Sequence, residues 1–234
     1  MSASPQLKFA SYNIHKAVGS DGRYDPDRIL AVLHEVDADI VALQEVDRRF
    51  GRRAAVLPRA HVEEHGYDIV HCATRPDSMG WHGNAILVRR GFAVLAAGPV
   101  HLPAIEPRGA VYAELEKDGR RLWIAGMHLD LSGLRRRAQI RAVTGEFSRL
   151  ERPCPAVLLG DFNEWSPRGW PLRELGSAWQ ALAPGRSFPS RQPLAPLDRI
   201  VLSREWEVQG QGVHHSALAA RASDHLPVWA VARL

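Results

Sequence analysis

The chain is poor in cysteine: Cys72 and Cys154 stand alone among 234 residues, in no metal-like spacing, which excludes a disulfide framework and a thiolate cage. It lacks any apolar run approaching the length of a membrane span. The stretch Met1 to Leu7 lacks the apolar core of a secretory leader, so a cytoplasmic protein is the expectation. Repeats of a fixed short period, low-complexity tracts and linkers are also missing, so one domain over residues 1–234 is expected. Charge of one sign is in only slight excess, with a formal net charge of +4. That mild basicity suits an anionic substrate without requiring nucleic acid. What is present is ordinary for a globular protein with a sizeable core, 45% hydrophobic and 24% charged residues.

Apolar segments alternate with helical patterns along the chain. Leu7 to Asn13 reads as a first strand, and Asp25-Pro26 opens a helix with Ile29, Leu30, Leu33 and Val36 on one face. Asp39 to Glu45 is a buried strand, followed by a basic loop from Arg48 to Arg53. Tyr67 to Cys72 and Gly83 to Val88 are further strands, with Phe92 to Val100 expected as an antiparallel neighbour of the latter. Val111 to Glu116 and Arg121 to His128 form a hairpin around Asp118-Gly119. A helix capped by Ser132 should reach about Leu150, with Leu134, Ala138, Val143 and Phe147 inward. Ala156 to Leu159 is a short buried strand, Ser166-Pro167 starts a short helix, and 183–196 reads as loop. Asp198 to Leu202 and Pro227 to Leu234 complete the set of strands.

Polar groups recur where these strands end: Asn13, Glu45, His128 with Asp130, Asp161 with Asn163, Asp198, and Asp224 with His225. Loops at one edge of a sheet build sites. Carboxylates and amides are hard oxygen donors suited to Mg²⁺ or Mn²⁺, and imidazoles supply proton donors and phosphate partners. Together they suit hydrolysis of a phosphate ester.

Seven motifs follow in order: Ser11-Tyr12-Asn13-Ile14-His15, Leu43-Gln44-Glu45-Val46-Asp47, Gly83-Asn84-Ala85-Ile86-Leu87, His128-Leu129-Asp130, Gly160-Asp161-Phe162-Asn163, Leu197-Asp198-Arg199-Ile200 and Ser223-Asp224-His225-Leu226-Pro227. Spread over about residues 7–231, they resemble the endonuclease/exonuclease/phosphatase superfamily, the DNase I-like fold. The resemblance implies an α/β fold, a four-layer sandwich of two mixed β-sheets packed face to face with helices outside. It also implies a Mg²⁺- or Mn²⁺-dependent phosphoesterase. In it Glu45 is the principal metal ligand, with Asn13 and Asp224 beside the metal. Asp161 orients or deprotonates the attacking water and Asn163 holds a phosphoryl oxygen. His225 contacts the phosphate, oriented by Asp198, and His128 donates to the phosphate or leaving group. Asn13 and Asn84 are further candidates for holding substrate. The abasic-site nucleases carry an acid where His15 stands and a tyrosine where His128 stands. On both counts the chain is more similar to the DNase I, sphingomyelinase and small bacterial phosphoesterase branches. A small or lipid-linked phosphoester is therefore the expected substrate. The alternatives are a DNA or RNA nuclease and, behind it, a non-catalytic binding module.

Each signal has a plainer reading. A Glu after a buried strand is usually the first solvated residue, and Asp198 beside Arg199 reads as a surface ion pair. Asn84 reads equally as a turn terminator. His61 and His65 lack the Glu that a zinc-protease helix places directly after its first His, so both read as solvated, as do His214 and His215. Arg135, Arg136, Arg137 and Arg141 read as a solvated helix face. The seven Trp are scattered, which suits core or rim better than a base-stacking platform.

Overall fold

The computed structural model describes residues 6–104 and 108–234; most of the stretch Met1 to Leu7 falls outside them. Its strands are β1 (Gln6–Asn13), β2 (Ile40–Gln44), β3 (Tyr67–Ile69), β4 (Ala85–Arg89), β5 (Ala93–Val100), β6 (Gly109–Lys117), β7 (Arg120–His128), β8 (Ala156–Asp161), β9 (Trp179–Leu182), β10 (Asp198–Ser203), β11 (Glu207–Val213) and β12 (Val228–Arg233). They form two six-stranded sheets, ordered β11-β12-β1-β2-β4-β3 and β5-β6-β7-β8-β10-β9. Each sheet has one parallel pair at its centre, β1 with β2 and β7 with β8, and antiparallel neighbours elsewhere.

Alternation within the strands builds the layers. Leu7 and Phe9 of β1, Ile40 and Ala42 of β2, and Val157 and Leu159 of β8 meet between the sheets. The residues between them, such as Ala10, Tyr12, Val41 and Leu43, face outward under helices. These are α1 (Pro26–Val36), α2 (Arg59–Glu64) and α4 (Ala219–Ala222). Helix α3 (Gly133–Phe147) and a 3₁₀ turn at Trp170–Leu175 cover the second sheet. The expected four-layer α/β sandwich is what forms. Gly126 lets the sheets approach closely, since a Cβ there would sit 3.1 Å from that of Ala42. Gly160 has a different reason: a Cβ would run into the Met127 carbonyl of the neighbouring β7.

Local chemistry sets most boundaries. The Asp25 carboxylate accepts from the Arg28 N–H at 3.1 Å and Pro26 takes the first helical position, so α1 starts where its cap places it. The hairpin turns on Asp118 and Gly119, both with positive φ, as a tight turn between twisted strands requires.

Several expectations are corrected. Phe92 to Val100 does not pair with β4: the chain turns at Gly91 and crosses to the other sheet, where β5 pairs β6. Apolar pattern gives a strand but not its partner. Helix α3 ends at Phe147, Ser132 makes no side-chain cap, and Leu134 is exposed. The buried face of α3 is Arg136, Gln139, Ile140 and Val143, a mixed set that hides its amphipathicity. The helix expected from Ser166 is a 3₁₀ turn four residues later, and strands β9 and β11 were not anticipated.

Candidate active site

The register of the second sheet sets the first half of the site. His128 on β7 lies opposite Asp161 on β8, and Asp161 lies opposite Asp198 on β10, in one row across three strands. In the first sheet, Asn13 of β1 lies opposite Gln44 of β2, so Asn13 and Glu45 leave adjacent strand ends. The backbone then bends sharply. Glu45 has φ +60° and Asn163 +50°, while His15, Lys16 and Ala17 follow one another at +46° to +58°. Left-handed conformations cost a side-chain-bearing residue ~1–2 kcal/mol each, so the five here mark turns that the surrounding structure holds in place.

The polar side chains of the site converge on Oδ2 of Asp161, a residue that is almost fully buried. Asn13 Nδ2 donates to it at 3.1 Å, His128 Nε2 lies at 3.4 Å and His225 Nε2 at 3.7 Å. The other carboxylate oxygen accepts from the Asn163 N–H at 2.9 Å. Asn163 Nδ2 donates to the Leu129 carbonyl at 2.9 Å, leaving its second N–H for another acceptor. Behind His225, Asp198 Oδ2 pairs with Nδ1 at 2.9 Å and accepts from Ser187 Oγ at 2.5 Å. The other Asp198 oxygen is buried and has no partner among the described residues.

The two imidazoles are pushed in opposite directions. Burial lowers both, but for His225 the carboxylates of Asp198 and Asp161 outweigh burial and push its pKa up to about 10. For His128 burial wins, reinforced by Arg108, and the pKa falls to about 4. Near neutral pH, one charged and one neutral imidazole therefore flank a single carboxylate. Arg108 donates to His128 Nε2, which places the neutral ring's proton on Nδ1.

The second half is a cavity of about 90 Å³ lined by Lys16, Glu45, Arg53, His82, Arg108 and His128, among others. Burial would raise the pKa of Glu45, but His128 and Lys16 outweigh it and hold the carboxylate below its usual range. Its Oε2 is in contact with the Lys16 ammonium. Asp224 lies beyond, half exposed, with Oδ1 4.0 Å from His15 Nδ1.

Two groups of donors could hold a metal. Asp161, Asp198 and His225 offer ligand atoms within 4.8 Å of one another. Within that group His225 Nδ1 is already bonded to Asp198 Oδ2 at 2.9 Å, while its Nε2 lies 3.7 Å from Asp161 Oδ2. Glu45 fits a hard dication better: it is kept ionised and already attracts a cation. Asn13 Oδ1, which accepts the His15 N–H at 3.1 Å, offers a second oxygen. Asn84 is not brought to the cavity. It is fully buried, and its Nδ2 donates to the carbonyls of Trp81, His82 and Gly109, bracing β6 against the loop before β4.

Some residues escaped sequence reading. Asp198 and Arg199 are both wholly buried, which corrects their reading as a surface pair. Arg199 donates to the carbonyls of Pro196, Asp198, Glu164 and Ser166, tying the loop after Asn163 to β10. Of the cluster on α3, Arg136 departs from a solvated face, being buried against Glu164 at 2.9 Å, whereas Arg141 is exposed. Lys16 carried no signal beyond its nearness to the first motif, and Ser187 and Arg108 carried none.

The Endonuclease/Exonuclease/phosphatase family profile matches residues 10–225. No curated protein matches the chain by sequence. Among solved structures, a family protein from Bacteroides thetaiotaomicron superposes with a TM-score of 0.76 at 20% identity, covering 98% of both chains. A mannosyl-6-phosphatase from the same organism gives 0.74 at 20% identity, over 97% of this chain and 100% of that one. D. rerio TDP2 complexed with a single-strand DNA product gives 0.72 at 16% identity, over 98% and 99%.

Proposed function

Since the chain belongs to the endonuclease/exonuclease/phosphatase family, whose members are phosphoester hydrolases, we propose a Mg²⁺- or Mn²⁺-dependent phosphoesterase acting on a small or lipid-linked phosphoester within one domain. The observation that carries this reading is the convergence of Asn13, His128 and His225 on one buried oxygen of Asp161. A carboxylate so placed accepts a proton from a water held beside it, while the groups around it hold the phosphate.

In this reading Asp161 orients and deprotonates the attacking water. The His225 imidazolium, fixed by Asp198, neutralises charge building on a phosphoryl oxygen, and the remaining Asn163 N–H holds a second one. His128 is neutral and carries Arg108 on its Nε2, so the pair presents a guanidinium to the phosphate or leaving oxygen. Glu45, with Asn13 and Asp224, would hold the dication, which when bound polarises the phosphoryl oxygen and stabilises the leaving oxygen. Asn84 has a bracing role in place of a substrate contact.

The neighbour complexed with DNA supports a second reading, a nuclease. A nuclease would lose affinity steeply with salt, because every phosphate contact releases a counterion. The test is a panel of phosphomonoesters, phosphodiesters and DNA assayed with Mg²⁺ and with EDTA. Hydrolysis of a small or lipid-linked ester is expected with Mg²⁺ alone, and Asp161→Asn should lower turnover ~10²–10⁴-fold with substrate binding little changed. Near-full turnover in that variant would assign the water to another group. Salt-suppressed DNA cleavage at low enzyme concentration would favour the second reading.

A further inference from the structure

Among the described residues, exposed large apolar side chains gather at the end of the sandwich that carries the site. Phe50 is 83% exposed, Leu134 72%, Leu131 67%, Trp165 65% and Trp170 42%. All five lie on segments that follow the site ends of β2, β7 and β8. Val94 and Leu95 are the exceptions, at the start of β5. Register carries that start to the opposite end, since Val100 pairs Ala110 beside the Gly109–His128 pair while Ala93 pairs Glu116. Several large apolar groups left in water around one cleft are unfavourable unless something covers them.

These side chains stand on backbone that is held in place. The buried Arg136 guanidinium donates to the carbonyls of Asp130 at 3.3 Å and Leu131 at 2.6 Å, and to the Glu164 carboxylate at 2.9 Å. One group thus ties down Leu131 and the residue before Trp165. Trp170 lies against Gly133 at the start of α3, with the Arg137 guanidinium 5.0 Å from its ring centre. On the side of the first sheet, Phe50 opens a turn that the Arg53 N–H closes on the Phe50 carbonyl at 3.4 Å. That turn belongs to the loop lining the cavity beside Glu45. Exposed arginines flank both groups, Arg48 and Arg52 around Phe50 and Arg168 shortly after Trp165.

We propose that this rim is a docking surface for a lipid bilayer bearing anionic headgroups, which brings the cleft onto a lipid-borne phosphoester. The inference rests on the phosphoesterase reading and selects its lipid-linked arm. Tryptophan, phenylalanine and leucine beside arginine suit the headgroup region: the apolar groups enter the acyl boundary and the guanidinium groups meet lipid phosphates. The position of the rim argues against other partners. A folded protein seated on it would close the cleft mouth, whereas a bilayer carries the substrate to that mouth. Single-stranded nucleic acid could stack on Phe50 and Trp165, but Leu131 and Leu134 offer a base no π-face.

The test is sedimentation of metal-free protein with vesicles of phosphatidylcholine alone, and of equimolar phosphatidylcholine and phosphatidylserine. At low salt, wild-type protein should partition onto the mixed vesicles about 10-fold more strongly than onto the neutral ones. Trp165→Ser and Phe50→Ser should each lower that partitioning about 10-fold, the effect of losing one large apolar anchor. Leu95→Ser, at the far end, should leave it unchanged. Brominated acyl chains should quench the tryptophan emission of wild-type protein, a readout that needs no variant. A soluble phosphomonoester assayed with Mg²⁺ keeps the two readings apart. Vesicle binding without hydrolysis of any ester would support the surface and count against the catalytic reading alone. Hydrolysis of the soluble ester without vesicle binding would overturn the surface alone. An equal loss in Leu95→Ser would contradict it too. So would a lipid-free dimer, or a complex with single-stranded DNA, that Trp165→Ser abolishes while vesicle partitioning stays unchanged.

Discussion

The two sides of the site are built differently. Around Asp161 the polar groups are buried and bonded to one another, and two strand-row neighbours, His128 and Asp198, come from the same sheet. Around Glu45 the groups come from the turns after β1 and β2 and from a basic loop, and they line an open cavity. A buried cluster braced by hydrogen bonds has its geometry set before substrate arrives, which favours chemistry that needs fixed positions. An open cavity lined by Lys16, Glu45 and Arg53 leaves room for a ligand to enter. On the proposed reading the comparison sets the reacting groups apart from those that receive the metal.

The separation breaks first at Asp198. His225 is held as an imidazolium up to about pH 10 by Asp198 and Asp161, so activity that needs its charge should persist until pH rises through that value. Asp198→Asn removes one of the two carboxylates, and the basic limb of the pH–rate profile should move to lower pH. A profile lowered in height with its shape unchanged would mean that Asp198 acts only structurally.

A smaller effect lies in stability. His128 is neutral in the fold, its pKa depressed to about 4 by burial first and by Arg108, while the unfolded chain would protonate it near 6.5. The unfolded state therefore gains protons first as pH falls, and stability should be lost between pH 6.5 and about 4, by on the order of 3 kcal/mol. Thermal unfolding of metal-free protein should show a steeper decline across that window than His128→Gln does. Parallel curves would place the titration elsewhere.

The rigid side of the site was far more legible in sequence than the open side. Asp161, Asn163, Asp198 and His225 end buried strands or directly precede one, and apolar runs advertise strand ends. The sandwich was legible for the same reason. Lys16, Arg53, His82 and Arg108 lie in turns, where side-chain direction depends on backbone conformations that the residue types do not announce. Arg199 was misread because a buried guanidinium bonded to four carbonyls has the same local sequence as an exposed one. Asn84 was ambiguous in sequence, and its three carbonyl partners make it a brace.

The most direct test of this division is calorimetric titration of Mg²⁺ into wild-type protein, Glu45→Gln and Asp161→Asn. If the dication belongs to the open side, Glu45→Gln should weaken binding strongly, since a hard cation loses a charged ligand, while Asp161→Asn should retain most of the affinity. The reverse pattern would put the metal among Asp161, Asp198 and His225 and contradict the assignment of Asp161 to the attacking water.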